Sequence, residues 1–138
     1  MTYCVQADIE KLVPIQELAE LTTESGTTPD GNIITECIVK ADGEIDAYCK
    51  KCYAVPFSPV PGIVKAMSVD IAIYHLYSRR SAVPDIRKYR YENAIKFLTA
   101  VAHGELLIPG PTPSETGGGT LQLSSAERVF SRDLLSDF

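Results

Sequence analysis

Few side chains in this sequence have the type and spacing that catalysis or metal binding requires. Asp70 and His75 fall inside one strongly apolar run. An acid in such a setting is either a proton-transfer carboxylate or half of an ion pair. No second catalytic group accompanies Asp70, so it reads as a structural ion pair, with Arg87 and Arg90 as candidates and Arg90 as the assigned partner. His75 has no acidic or nucleophilic neighbour in a recognisable motif and reads as a core or interface histidine. Cys49-Lys-Lys-Cys52 is a CxxC pair. Zinc normally takes four ligands, and neither Cys4 with Cys37 nor His75 with His103 forms a second pair. A redox CxxC opens a helix that follows a strand, whereas this one falls late in a helical pattern. The cysteines therefore read as buried free thiols. Asp30-Gly-Asn32 lacks the spaced acids and closing glutamate of a calcium loop and reads as a turn. Tyr48, Tyr53, Tyr74, Tyr77, Tyr89 and Tyr91 read as packing with hydrogen-bonded hydroxyls, because a base-stacking platform calls for a basic groove. No phosphate loop, dinucleotide fingerprint, HExxH or GxSxG is present. The expectation is a protein with no catalytic, cofactor or metal site.

The elements that carry these residues are helical. Residues 61–80 are apolar on more than one face: Ile63, Met67, Ile71, Tyr74 and Tyr77 share one side, and Val64, Val69, Ile73 and Leu76 fill much of the rest. A helix apolar nearly all round is buried on several sides, so the other segments should wrap around it. Lys65, Ser68, Asp70 and His75 are its polar exceptions. Upstream, residues 3–21 read as two short helices with a thin seam of Ile9, Leu12, Ile15, Leu18 and Leu21, Pro14 suiting the first turn of the second. A polar loop follows. The next helix, capped by Asn32 or Thr35, runs to about Tyr53 on a stripe of Ile34, Cys37, Ile38, Ala41, Ile45, Tyr48, Cys49 and Cys52. Lys40, Asp42, Glu44, Lys50 and Lys51 belong on its wet face. Gly43 costs about 1 kcal/mol relative to alanine there, and suits close packing or a small bend. The prolines of residues 54–62 forbid a helix and favour a stiff extended loop. Arg79 and Arg80 close the central helix, either as partner contacts or as a solvated end. A last helix, capped by Asp85, runs from Ile86 to about His103, with Tyr91, Ala94, Ile95, Leu98, Val101 and Ala102 inward and Gly104 as its stop.

The fold class is thus all-α: a small helical bundle of three long helices plus short N-terminal helices, spanning residues 1–109, with an extended C-terminal arm, 110–138. Residues 110–119 read as a flexible linker. The apolar end beyond it holds Val129, Phe130, Leu134, Leu135 and Phe138, with Arg132 among them. An exposed apolar segment of this kind usually has a partner surface, and these six residues are the candidate docking site. Length and composition agree with one domain plus an arm: 138 residues, 45% apolar and 22% charged. A net charge of −5 argues against gripping DNA by neutralising phosphates. No run approaches the roughly 18–20 apolar residues of a membrane span, and the N-terminus is not a signal sequence. The protein is expected to be made and kept in a cytoplasm.

Several patterns stand in one order: Glu44-Ile-Asp-Ala-Tyr48, Tyr53, the loop Val55-Pro-Phe-Ser-Pro59, Val69-Asp-Ile-Ala-Ile-Tyr-His-Leu-Tyr77, Arg90-Tyr-Glu-Asn-Ala-Ile-Lys-Phe-Leu98, Val101-Ala-His-Gly-Glu105, and the tail from Glu127 to Phe138. Together they resemble the head–tail adaptor (connector) proteins of Mu-like tailed bacteriophages, from the first helices to the last residue. The resemblance implies an all-helical subunit whose copies form a dodecameric ring below the portal protein. It implies a tail completion, stopper or terminator protein on the other side. Double-stranded DNA would pass through the lumen without specific binding. The place implied is the virion neck, after assembly in the host bacterial cytoplasm. The Cys49/Cys52 pair is not a feature of that pattern. Two other readings remain at this point: a small helical DNA-binding or regulatory protein using Arg87-Lys-Tyr-Arg90, and a metal or redox protein using Cys49 and Cys52.

Overall fold

Proline and aspartate set the helix starts. The computed structural model of the chain describes residues 2–24, 27–80 and 82–112. Within them the fold is all-helical: α1 (Gln6–Glu10), α2 (Ile15–Thr22), α3 (Gly31–Cys49), α4 (Gly62–Ser78) and α5 (Asp85–Ala102). Pro14, Pro61 and Pro84 are the N-caps of α2, α4 and α5. A proline at that position surrenders no helical hydrogen bond, because the first N–H groups of a helix are unpaired in any case. α3 is capped by Asp30, whose carboxylate accepts from the Asn32 N–H at 2.9 Å, and not by Asn32 or Thr35. The acid of the expected turn is therefore a helix cap. α5 stops at Gly104, whose φ of +79° is a left-handed position that glycine adopts without a Cβ clash. Glu105 N–H bonds to Ala100 O and Gly104 N–H to Val101 O, the paired bonds of a Schellman ending.

α4 is the centre of the bundle, packing most extensively on α3 and next on α5, with α1 and α2 covering smaller parts of it. Val64, Ile71, Ile73 and Leu76 are fully buried, each stabilising the fold by about 1.5–3 kcal/mol relative to an exposed side chain. Ile34 and Ile45 of α3, Leu98 and Val101 of α5, and Ile9 and Leu18 of the short helices complete the core. The N-terminal seam is narrower than its periodicity suggests. Ile9, Leu18 and Leu21 are buried, but Leu12 and Ile15 stand 45% and 56% exposed. α1 ends at Glu10, so the pattern of one helix does not continue in phase into the next.

α3 stops at Cys49, three residues before Cys52, and a turn carries the chain to Tyr53. Cys4, Cys37 and Cys49 are buried thiols; Cys52 is half-buried, with its thiol 3.5 Å from Val101 O. Burial pushes the Cys49 thiol up to about 12 and the Cys4 thiol to about 11. Gly43 does not serve a close contact within the chain: a Cβ there would meet open space.

Three polar positions differ from expectation. Asp42, expected on the wet face of α3, is 7% exposed. It accepts from the Tyr3 N–H at 2.9 Å and from the Ser68 hydroxyl at 2.6 Å. Burial raises its pKa, and those two donors oppose the rise. Glu44, also expected in water, accepts from His75 Nε2 at 2.5 Å and from the Tyr91 hydroxyl at 3.2 Å. The Tyr91 ring stacks on Tyr74 with centroids 3.9 Å apart and planes 9° from parallel. α3, α4 and α5 meet at this cluster. Asp70 is only partly buried and makes no contact ion pair with Arg90. Burial raises its pKa, and Arg90, then Arg87, lower it from longer range. It lies at the edge of a surface hollow, where water can solvate it. The crossing of the long helices is therefore held by Glu44, His75 and the two tyrosines, and not by Asp70 with Arg90.

Arg79 and Arg80, open from the sequence between partner contacts and a solvated helix end, bond the end of α2. Arg79 donates to Leu21 O at 2.6 Å and Arg80 to Thr23 O at 2.8 Å. Both cover carbonyls at and just beyond the end of α2, which that helix cannot satisfy internally.

Candidate docking surface

The residues nominated for docking, Val129, Phe130, Arg132, Leu134, Leu135 and Phe138, lie outside the described residues. What the structure does define is the base from which that segment departs. Tyr3 organises it. Its hydroxyl donates to Asp46 and accepts from the Phe57 N–H at 3.1 Å, while its N–H bonds Asp42. Burial, then the Asp46 bond, holds the phenol well above its ordinary pKa. The ring packs on Phe57 at 5.9 Å, and Phe57 packs on Tyr53 at 5.7 Å. Tyr53 in turn accepts from the Ile108 N–H at 2.8 Å. N-terminus, α3, proline loop and the chain after α5 are thus tied along one aromatic row.

These contacts explain why the proline loop is ordered. Tyr53 and Phe57 are 2% and 3% exposed, so two aromatic rings anchor a segment that makes no helix. Val55–Pro56 and Ser58–Pro59 are both cis. Ile108, 2% exposed, pins the outgoing chain against the same row. Between loop and exit lies a hollow of about 430 Å³, walled on one side by Phe57, Pro59 and Val60 and on the other by Pro109, Gly110 and Pro111. The described chain therefore ends, at Thr112, beside the proline loop.

A second hollow of about 360 Å³ lies between α1, α4 and α5. Asp8 lies there, joined to Lys65 at 3.4 Å and Lys11 at 3.8 Å. The Asp8 carboxylate is held below its usual pKa, first by the Val5 N–H that it accepts at 3.0 Å. Asp70 and Arg90 complete the rim. Arg87 reaches across to Leu12 O at 2.9 Å and fastens α5 to the corner between α1 and α2. Among the described residues, no cluster of three or more His, Cys, Asp or Glu side chains is arranged to hold a metal ion. No described helix is long and apolar enough to cross a membrane.

Tyr3, the loop anchors and the long helices all fall within a match to a known family: the family model described as bacteriophage Mu, Gp36 covers residues 3–123. The chain belongs to that family. It is a Mu-like phage protein. The Gp36-family match starts at Tyr3, the head of the aromatic row, and spans every described helix. It stops at Leu123, short of the last residue to which the resemblance was read. The apolar positions from Val129 to Phe138 thus lie beyond the part of the chain that Gp36-family membership describes. No curated protein matches the chain.

Sequence reasoning missed Tyr3, Asp42 and Glu44, the polar groups that hold this end and the helix crossing. Their signal was present but local. Tyr3 is an aromatic residue before the first helix, and Asp42 sits one position from the apolar stripe at Ala41 and Ile45. Only the facing Ser68 makes its burial intelligible.

Proposed function

We propose that the chain is a structural head–tail adaptor of a tailed bacteriophage, without catalysis. Copies form a dodecameric ring in the virion neck, between the portal protein and a tail completion or terminator protein. The observation that carries the reading is the match to the bacteriophage Mu Gp36 family over residues 3–123. An all-helical body supports it, with the chain after α5 tied to one end of that body through the Ile108 N–H and the Tyr53 hydroxyl. The net charge of −5 supports a lumen that repels phosphates, so that DNA slides past without adhering. The arm, with Val129, Phe130, Leu134, Leu135 and Phe138, docks on the portal or a neighbouring subunit in the assembled particle.

The test is deletion of residues 120–138 in a phage that depends on this gene. The truncated protein keeps its helical circular dichroism, while filled heads and free tails accumulate unjoined. Infectious particles at normal yield from the truncated gene would sink the docking role. A second reading, DNA binding through the start of α5, has one observation in its favour: Lys88, Tyr89 and Arg90 are exposed there. A gel shift that weakens steeply with salt would support it, and no shift at low salt would remove it.

A further inference from the structure

The hollow between α1, α4 and α5 is a basic and apolar surface on an acidic protein. Lys11, Lys65 and Arg90 line it and Arg87 crosses its edge, against two carboxylates, Asp8 and Asp70. One of those acids is already joined to both lysines. Leu12, which lines it, is 45% exposed, and Ile86 and Tyr89, in the first turns of α5 ahead of Arg90, are 54% and 61% exposed. Ile86, Tyr89 and Arg90 share one face of α5 by their spacing. Phosphate backbones would use the cations and leave those apolar side chains in water. A polypeptide that alternates acidic and large apolar residues uses both.

This chain contains such a segment. Asp133-Leu134-Leu135-Ser136-Asp137-Phe138 sets two carboxylates among three large apolar side chains. It lies outside the described residues, on chain that leaves from Thr112. The exit hollow includes Pro61, and the basic hollow begins at Gly62. A segment of residues 113–132 can reach up to roughly 66–72 Å when extended, farther than a domain of this size requires. We propose that in the free subunit residues 133–138 dock on this surface of their own chain. Asp133 and Asp137 face Lys65 and Arg90, and Leu134, Leu135 and Phe138 cover Leu12, Ile86 and Tyr89. The contact hides the arm's apolar end until the subunit joins an assembly. It rests on the reading that the arm is a docking element.

Zero-length carbodiimide cross-linking of the full chain tests it, because that reagent joins only lysines and carboxylates in direct contact. A dilute mixture of unlabelled and 15N-labelled protein separates links within a chain from links between chains. The expected products join Lys65 or Lys11 to Asp133 or Asp137 within one chain. Their yield falls about tenfold in R90Q/K11Q, and the remaining Lys65 link weakens with salt as the attraction is screened. Circular dichroism checks that this variant is folded. As a second variant that leaves the bundle untouched, D133N/D137N removes the same electrostatic contact; protection of the Leu12 and Ile86 amides from hydrogen exchange then drops. Absence of these links, links only between chains, or unchanged protection in D133N/D137N would overturn the proposal. A surface occupied by added duplex DNA in place of the arm would overturn it too. These failures would leave the assembly role of the arm standing, since that role is decided separately by infectivity of the 120–138 deletion.

Discussion

Ser68→Ala should destabilise the fold more than its size suggests. Ser68 is fully buried and donates to Asp42 Oδ1 at 2.6 Å; among the described residues the other donor to that carboxylate is the Tyr3 N–H, at 2.9 Å. Removing the hydroxyl strips a buried carboxylate of one of its described donors. A hydrogen bond to a charged group contributes about 1.5–3 kcal/mol, and the orphaned acceptor keeps its desolvation cost. For a folded body of this size, each kilocalorie lowers the melting temperature by about 4 °C, so the expected fall is about 6–12 °C. Urea titration should give the same loss at an unchanged slope. Asp42→Asn should cost less, because a neutral amide is cheaper to bury, and its oxygen can still accept from the Tyr3 N–H while its NH2 donates to the Ser68 hydroxyl oxygen. The double variant Asp42→Asn/Ser68→Ala should lose at least about 1 kcal/mol less than the sum of the single losses, since the two act on one bond. Additive losses, or a Ser68→Ala change within about 0.5 kcal/mol of zero, would refute the assignment of Asp42 as a charged, hydrogen-bonded core residue.

Tyr53→Phe keeps the ring on Phe57 and removes only the acceptor of the Ile108 N–H. It should cost about 1 kcal/mol and abolish hydrogen-exchange protection at Ile108, leaving the α4 amides unchanged. Gly43→Ala should raise stability by about 1 kcal/mol in denaturant melts, because a Cβ there meets open space in the single chain. A loss of assembly in that variant would instead show that this face packs on another subunit. The buried thiols make the fold sensitive to alkali. A thiol raised in the folded state stabilises the fold while the unfolded chain is also protonated, and that stability is lost as pH rises. For Cys49, fully buried and shifted from 9.0 to about 12, the loss is on the order of 1.4 kcal/mol per pH unit across that window. Cys49→Ala should flatten the decline in melting temperature above pH 9, and an unaltered pH profile would contradict the assignment.

The sequence alone carried the helices, because their signals are short-range. Apolar spacing named the inward faces of α3, α4 and α5, and Pro61, Asp85 and Gly104 marked ends to within a residue or two. It also carried the kinship with Mu-like phage proteins, since the ordered patterns from Glu44 to Glu105 lie inside the matched span. The polar architecture was not legible. Asp42 and Glu44 look like wet-face residues from their own helix, and Asp70 looks like a buried acid from its own. Burial of a polar side chain is decided by the element that covers it. α4 brings Ser68 over Asp42 and His75 over Glu44, whereas Asp70 faces a hollow that nothing in the described chain fills. Helical periodicity is a property of neighbours three and four residues apart. Tyr3 meeting Asp46 and Phe57, and Ile108 meeting Tyr53, are contacts across more than forty residues. Only the tertiary structure joins the first residues of the chain, the proline loop and the exit of the arm into one end of the molecule.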